Sequence, residues 1–404
     1  MFDVKKEAAA LSAELETIYK DLHRHPEIGY DEHRTSGIIA DYLRACGMEV
    51  QTGIAITGVV GTLDSGRAGK TLLIRADMDC LQVEEMTACD YRSENPGKMH
   101  ACGHDAHVTM LLGAAKLLSA HRDAFRGKIK FLFEPSEESI PASMKETVRA
   151  AGYDGEGGAG FMIQQGVLDG VDMALALHVQ PVVPAGKIQI ARHETTASSD
   201  VYDIMLTGKG GHGAMPENAV DPVPAMAELI TAIHMLPTRE VSSMENCVIS
   251  IGQVELPGSV WNVVPERAHI VGGFRSFNND VRALLRQRIP ELAEGIAKAN
   301  RCTAVCTQTL GYDATINDEA MALEVSRTLE NIVGEGNVIL TNKPFMGSED
   351  FGCFTQHVPG VLFWLGIGTG EDDKPLHNPY FKMDLQALPV GTACHVQNEL
   401  HFLK

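Results

Sequence analysis

Apolar residues recur along this chain in two alternating rhythms. Over residues 3–25 they fall at Leu11, Leu15, Ile18 and Leu22, the spacing of one helix face. The His25-Pro26-Glu27 step should end that helix, because a residue before proline avoids the helical region. A second helix is expected over 36–46, closed by Gly47. Short β-rich runs follow at 59–63 and 71–76, and the latter, a continuous apolar strand, leads into Asp77-Met78-Asp79. Helical spacing returns over 106–121 through Met110, Leu111, Ala114, Leu117 and Leu118, which places Cys102 and His104 in the loop entering that helix. A strand at 128–133 ends just before Glu137-Glu138, and another at 174–178 has His178 at its exit. Strands alternating with helices, with polar residues at strand ends, predict an α/β sandwich with its site along one sheet edge.

The pattern changes after Pro181-Val182-Val183-Pro184. Residues 186–209 alternate apolar and polar, a helix spans 222–236, strands fall at 248–255 and 269–274, and a second helix covers 281–299. This is the layout of a smaller self-contained β-α-β-β-α domain. Near Gly311 the first pattern resumes. The expectation is a catalytic domain in two parts, 1–184 and 306–404, with 185–305 inserted between them.

Bulk properties narrow the function classes. At 404 residues more than one domain is expected, and a formal charge of −19 argues against nucleic acid or an anionic membrane as partner. Nine scattered cysteines show no disulfide framework, the first residues lack a signal-peptide pattern, and no apolar run is long enough for a membrane span. A thiol-reduced, cytoplasmic enzyme is expected. Cys302 and Cys306, without a partner pair, are read as apolar fillers.

The chemistry concentrates in Met99-His100-Ala101-Cys102-Gly103-His104-Asp105-Ala106-His107. Cysteine, histidine and carboxylate are the donors of zinc-type sites. Glu137-Glu138, His178 and His377 each follow a predicted strand or sit in a loop, so they extend this set along one edge. Two adjacent glutamates on a strand exit point different ways; one can hold metal while the other handles a proton. Asp77 and Asp79 are candidates for orienting an imidazole behind the metal ligands. His100 and His107 are read as neighbours or packing residues.

Eight segments carry a resemblance. They are His25-Pro26-Glu27, Arg75-Ala76-Asp77-Met78-Asp79, the 99–105 run, Phe133-Glu134-Pro135-Ser136-Glu137-Glu138, Gly208-Lys209-Gly210-Gly211-His212-Gly213-Ala214, Asn262-Val263-Val264-Pro265, Met346-Gly347-Ser348-Glu349-Asp350-Phe351 and Leu376-His377-Asn378-Pro379. In this order the chain resembles the dinuclear-metal amidohydrolases and exopeptidases that include hippurate hydrolase, indoleacetyl-amino-acid hydrolase, aminobenzoyl-glutamate hydrolase and N-acyl-amino-acid deacylases. The resemblance implies a zinc-exopeptidase-like α/β/α catalytic domain with an inserted, ferredoxin-like α+β domain serving as lid and dimer contact. It implies Cys102, His104, Glu138, His178 and His377 as ligands of two divalent ions (Zn, Mn, Co or Ni), with Cys102 bridging, and Glu137 as the base that carries a proton from water to the leaving amine. It further implies that His212 polarises the substrate carbonyl from across a homodimer, and that Asn262 and Arg275 hold the substrate's amide or carboxylate.

Two departures bear on the substrate. Asp79-Cys80-Leu81-Gln82 replaces the family's usual Asp-Ala-Leu-Pro, and residues 139–156 intervene before Gly157-Gly158-Ala159-Gly160, where the family passes quickly to a helix. The reading is a metal-dependent amidohydrolase of N-acyl amino acids. Its competitors are a dipeptidase or carboxypeptidase with the same centre, a non-catalytic metal-binding homologue, and a cysteine-nucleophile hydrolase using Cys102 and His104.

Overall fold

The computed structural model describes residues 2–370 and 373–404. Contacts divide them into two units: the larger comprises residues up to Thr195, Thr315–Pro344 and Glu349–Lys404; the smaller comprises Thr196–Ala314 with Phe345–Ser348.

The larger unit is built on an eight-stranded mixed sheet. Its order is Glu49–Ile54, Gly58–Asp64, Lys128–Glu134, Thr71–Asp77, Met173–Pro184, Gly360–Gly368, Ile188–Ala191, Val338–Thr341. The four strands from Lys128–Glu134 to Gly360–Gly368 run parallel and are buried over most of their length on both faces, as a sheet covered on both sides requires. Alternation assigns each residue to a layer. Leu72, Ile74, Phe131 and Leu175 pack on one face with the His104–Ala120 and Ala387–Phe402 helices; Leu73, Leu132, Ala174 and Ala176 pack on the other with Phe161, Met162, Phe351 and Phe354. This is the expected α/β/α class.

Local chemistry shifts several element boundaries. The helix expected over 3–25 is two, Val4–Ala10 and Ser12–Arg24, parted at Leu11, where the Ser12 hydroxyl donates to Ala9 O at 2.7 Å. The next begins earlier than its apolar spacing suggests, at His33, because the Glu27 carboxylate accepts the Arg34 and Thr35 amides at 3.0 and 2.8 Å. Residues 185–195 belong to the larger unit, since Ile188–Ala191 pairs with Gly360–Gly368 and Val338–Thr341. No helix among the described residues is long and apolar enough to cross a membrane.

The smaller unit is an antiparallel sheet in the order Cys247–Glu255, Arg267–Ser276, Asp200–Thr207, Thr303–Leu310. With its helices Pro222–Arg239 and Asn279–Ala299 the chain order is β-α-β-β-α-β, the ferredoxin-like arrangement. Its last strand runs to Leu310, past the expected boundary at 305, because residues 303–310 pair along the whole of Asp200–Thr207.

Candidate metal centre

Sheet register brings the chemistry together. Asp77 pairs with Glu134, and Arg75 pairs with Ala176, so His178 falls level with Asp77 one pleat further on. Glu134, Asp77 and His178 thus form a row across three parallel strands near the end of Thr71–Asp77. His178 is not at a strand exit, as its position after a short apolar run suggested; its strand continues to Pro184, and His178 pairs with Trp364.

The Cys-Gly-His motif is explained by close approach. Gly103 has φ +87° at the N-cap of the His104–Ala120 helix, and a Cβ there would stand 2.4 Å from Val179 Cγ2. Glycine therefore lets Cys102 and His104 reach the strand carrying His178. His104 is the first residue of the helix rather than part of the loop before it.

The donor atoms fall in overlapping groups, the largest being Asp77, His104, His107 and His178, within 4.8 Å of one another. Cys102, Glu138 and His377 have donor atoms within 4.8 Å of one another, as do His104, Glu137 and Glu138. His178 Nε2 lies 3.5 Å from Cys102 Sγ, its Nδ1 being held by Val179 O at 2.7 Å. His377 Nε2 stands 3.0 Å from Glu138 Oε1, and its backbone, at φ +65°, donates to Ala101 O. The orienting acid is Asp79: one oxygen meets His104 Nδ1 at 3.0 Å and the other accepts the Glu138 amide at 3.1 Å. Asp77 meets His107 Nδ1 at 2.5 Å and Arg75 at 2.6 Å, and lies 3.8 Å from His104 Nε2. His107 lies near the donors, but both its ring nitrogens are engaged: Nδ1 with Asp77, and Nε2 accepting the Val179 amide at 2.9 Å. It braces the strand beside His178.

The donor set fits divalent metal. His104 Nε2 is buried without a hydrogen-bond partner, an expensive arrangement unless something else satisfies it. Acids also crowd the site beyond what Arg75 balances. Burial, with Glu349, Glu138 and Asp350 nearby, holds the Glu137 carboxyl well above its usual range. Burial and the two glutamates likewise push the Cys102 thiol far up. Burial opposes charge on His104, yet Asp77 and Asp79 overcome it and push the imidazole up to about 10. His178 is driven the other way by burial and by His107. A cation among these groups would relieve the first three shifts by stabilising deprotonated donors.

Sequence reasoning passed over the hub of this network. Arg75 is fully buried and reaches Asp77, Glu134 (2.5 Å), Glu349 (2.7 Å) and Asp350 (2.8 Å). Glu349 and Asp350 come within 4.8 Å of Glu137, and Asp350 also accepts the Ala159 amide at 3.1 Å. The resemblance includes Arg75, Glu349 and Asp350 without a role for any of them, whereas Asp77 is expected to orient an imidazole.

Two of the three other candidates share a feature of the smaller unit. His212 pairs with Val263, and its Nδ1 accepts the Ala214 amide at 3.1 Å, which leaves the ring proton on Nε2. Gly213 donates to Asn262 O at 2.9 Å, and His212, Asn262, Ser259 and Arg267 line a cavity of about 520 Å³. Arg275 is not among its lining residues; its guanidinium donates to Met346 O and Ser348 Oγ, both at 3.2 Å.

Fold and donor set together define an α/β metallohydrolase. Residues 73–398 match peptidase family M20/M25/M40, and the chain belongs to that family of hydrolases. It is 33% identical to the hippurate hydrolase of Campylobacter jejuni, over 98% of each chain. It is 34% identical to thermostable carboxypeptidase 1 of Saccharolobus solfataricus, over 94% of this chain and 92% of that one. Among solved structures, a dinuclear metal-binding peptidase of the M20 family from Bacillus subtilis superposes with a TM-score of 0.81 at 28% identity, over 98% of this chain and 99% of that one.

Proposed function

We propose that this protein hydrolyses the amide bond of N-acyl amino acids at a centre of two divalent ions held by Cys102, His104, Glu138, His178 and His377. The observation that carries the reading is the clustering of these donors in overlapping groups, with His104 Nε2 buried and unpartnered, beside Glu137, whose carboxylate lies within 4.8 Å of donor atoms of His104 and Glu138. Ions bound there supply Lewis acidity and lower the pKa of water toward neutral.

The chain's own residues do the rest. Asp79 fixes the His104 ring and the Glu138 backbone. Glu137, whose carboxyl pKa is raised by burial and by Glu349, Glu138 and Asp350, would be ionised beside bound cations and is then suited to take a proton from the attacking water and deliver it to the departing amine nitrogen. His212 carries its proton on Nε2, the form needed to donate to the oxygen of a polarised carbonyl. Asn262 and Arg275 are assigned to the substrate's polar ends, and Asp77 to bracing the centre through His107 and Arg75. Similarity to hippurate hydrolase supports an N-acyl amino acid as substrate, and similarity to a carboxypeptidase favours peptides as the second reading.

A homodimer through the smaller unit, with His212 serving the partner's centre, is part of this proposal. Supporting it, the edge strand Cys247–Glu255 exposes Val248 and Val254. A reducing cytoplasm suits nine free cysteines, one of them a proposed ligand. The test is a panel of N-acetyl and N-benzoyl amino acids and dipeptides, assayed after chelation and after reconstitution with Zn, Mn, Co or Ni. Activity lost to chelator, restored by metal, and higher on acyl amino acids than on dipeptides is expected. Chelator-resistant turnover abolished by a thiol alkylator would instead make Cys102 a nucleophile.

A further inference from the structure

Two large apolar side chains stand exposed on braced loops next to the proposed ligand His377. Met86 is 51% exposed although its neighbours Glu85 and Thr87 are buried. Glu85 is held from three sides, by His23, by the Thr87 hydroxyl and by the Ser93 amide at 2.7 Å. Paired hydrogen bonds between Leu81 and Met99 close the loop. Tyr380 is also 51% exposed, between His377 and the fully packed Phe381. Its amide donates to Asn378 Oδ1 at 2.9 Å, and the Phe381 amide donates to Asn378 O. The two loops are joined directly, the Met86 amide donating to Pro379 O at 2.8 Å. Rigid backbone thus presents a thioether and a phenol ring to solvent at neighbouring positions, at a cost in exposed apolar area that a bound apolar group would recover.

We infer that Met86 and Tyr380 form an apolar rim that receives an aromatic or bulky aliphatic substituent flanking the scissile amide, and so select substrates larger than acetylglycine. This rests on the proposed amidohydrolysis. Tyrosine offers a flat face at little entropic cost, and methionine adapts to rings of different shape. Neither side chain touches the reacting atoms, so their effect belongs in substrate selection.

The experiment compares kcat/KM of the metal-loaded wild type, Met86→Ser, Tyr380→Ser and Tyr380→Phe on N-acetylglycine, N-benzoylglycine and N-acetylphenylalanine. Each serine variant is expected to lose about ten-fold on whichever bulky substrate uses the rim, the scale of uncovering one apolar side chain, and less than about two-fold on N-acetylglycine. Tyr380→Phe should keep the preference. The benzoyl and phenylalanyl arms tell whether the rim serves the acyl or the amino-acid side. Equal losses on all three substrates, no loss on any, or loss accompanied by a change in sedimentation would overturn the inference, the last by assigning the surface to a second copy of the chain. Wild-type inactivity on every substrate would overturn the underlying reaction itself, a result distinct from unselective activity.

Discussion

Arg75 holds four carboxylates at once from inside the sheet, a task suited to its planar fork of five donors. Only Asp77, two residues on, is nearby in the chain; Arg75 sits in an apolar run, and Glu349 and Asp350 are more than 270 positions away. Cys102 and His104 stand out in the sequence because short spacing is itself the signal, whereas a buried ion-pair hub exists only after long-range pairing. Glu399 is a different case of a buried acid. It is fully buried in the Ala387–Phe402 helix, neither carboxyl oxygen has a hydrogen-bond partner, and burial pushes its pKa well above the ordinary 4.5. Because the folded value is raised, the folded protein must keep a proton that the unfolded chain releases above pH 4.5, so stability falls as pH rises from there. Glu399→Gln removes that linkage. Urea unfolding should show little difference from wild type near pH 4.5 and a gain of about 1–3 kcal/mol at pH 8. An equal difference at both pH values would contradict the assignment.

At the level of elements, most strands and helices were readable from periodicity, because both layers of the larger unit demand it. What periodicity could not supply were termini set by remote groups. Glu27 starts the His33–Ala45 helix from outside it, and Gly103 starts the His104–Ala120 helix against Val179. The Gly103 junction also sets the reach of two proposed ligands. Gly103→Ala would impose φ strain and a clash at 2.4 Å, destabilising the fold by about 1–3 kcal/mol and weakening metal binding at least several-fold. Gly97→Ala is the control: φ is +72°, nothing lies within 4 Å, and metal affinity should stay at the wild-type value. Thermal melts with metal titration read both effects, and parallel losses in the two variants would show that backbone strain, not the approach to Val179, matters.

On the scale of the whole chain, the two-part organisation was legible from the change of rhythm after Pro184, but its edges were not. Ile188–Ala191 returns to the large sheet, and residues 345–348 join the smaller unit through Ala197 to Gly347 and Arg275 to Met346. A four-residue return carries no periodicity, so no pattern announces it. Of the candidate site, Cys102, Glu138 and His377 cluster, as do His104, Glu137 and Glu138, while Arg275 is not among the residues lining the His212 and Asn262 cavity. In the proposed function, Glu137 moves the protons of the reaction, and that role is its central claim. The most direct measurement is Glu137→Gln, with kcat on the preferred acyl amino acid and bound metal per chain determined on the same sample. Two metal ions per chain, as in wild type, and a fall in kcat of about 10²–10⁴-fold, the usual contribution of a positioned general base, are expected. Turnover within a few fold of wild type at full metal content would contradict that role.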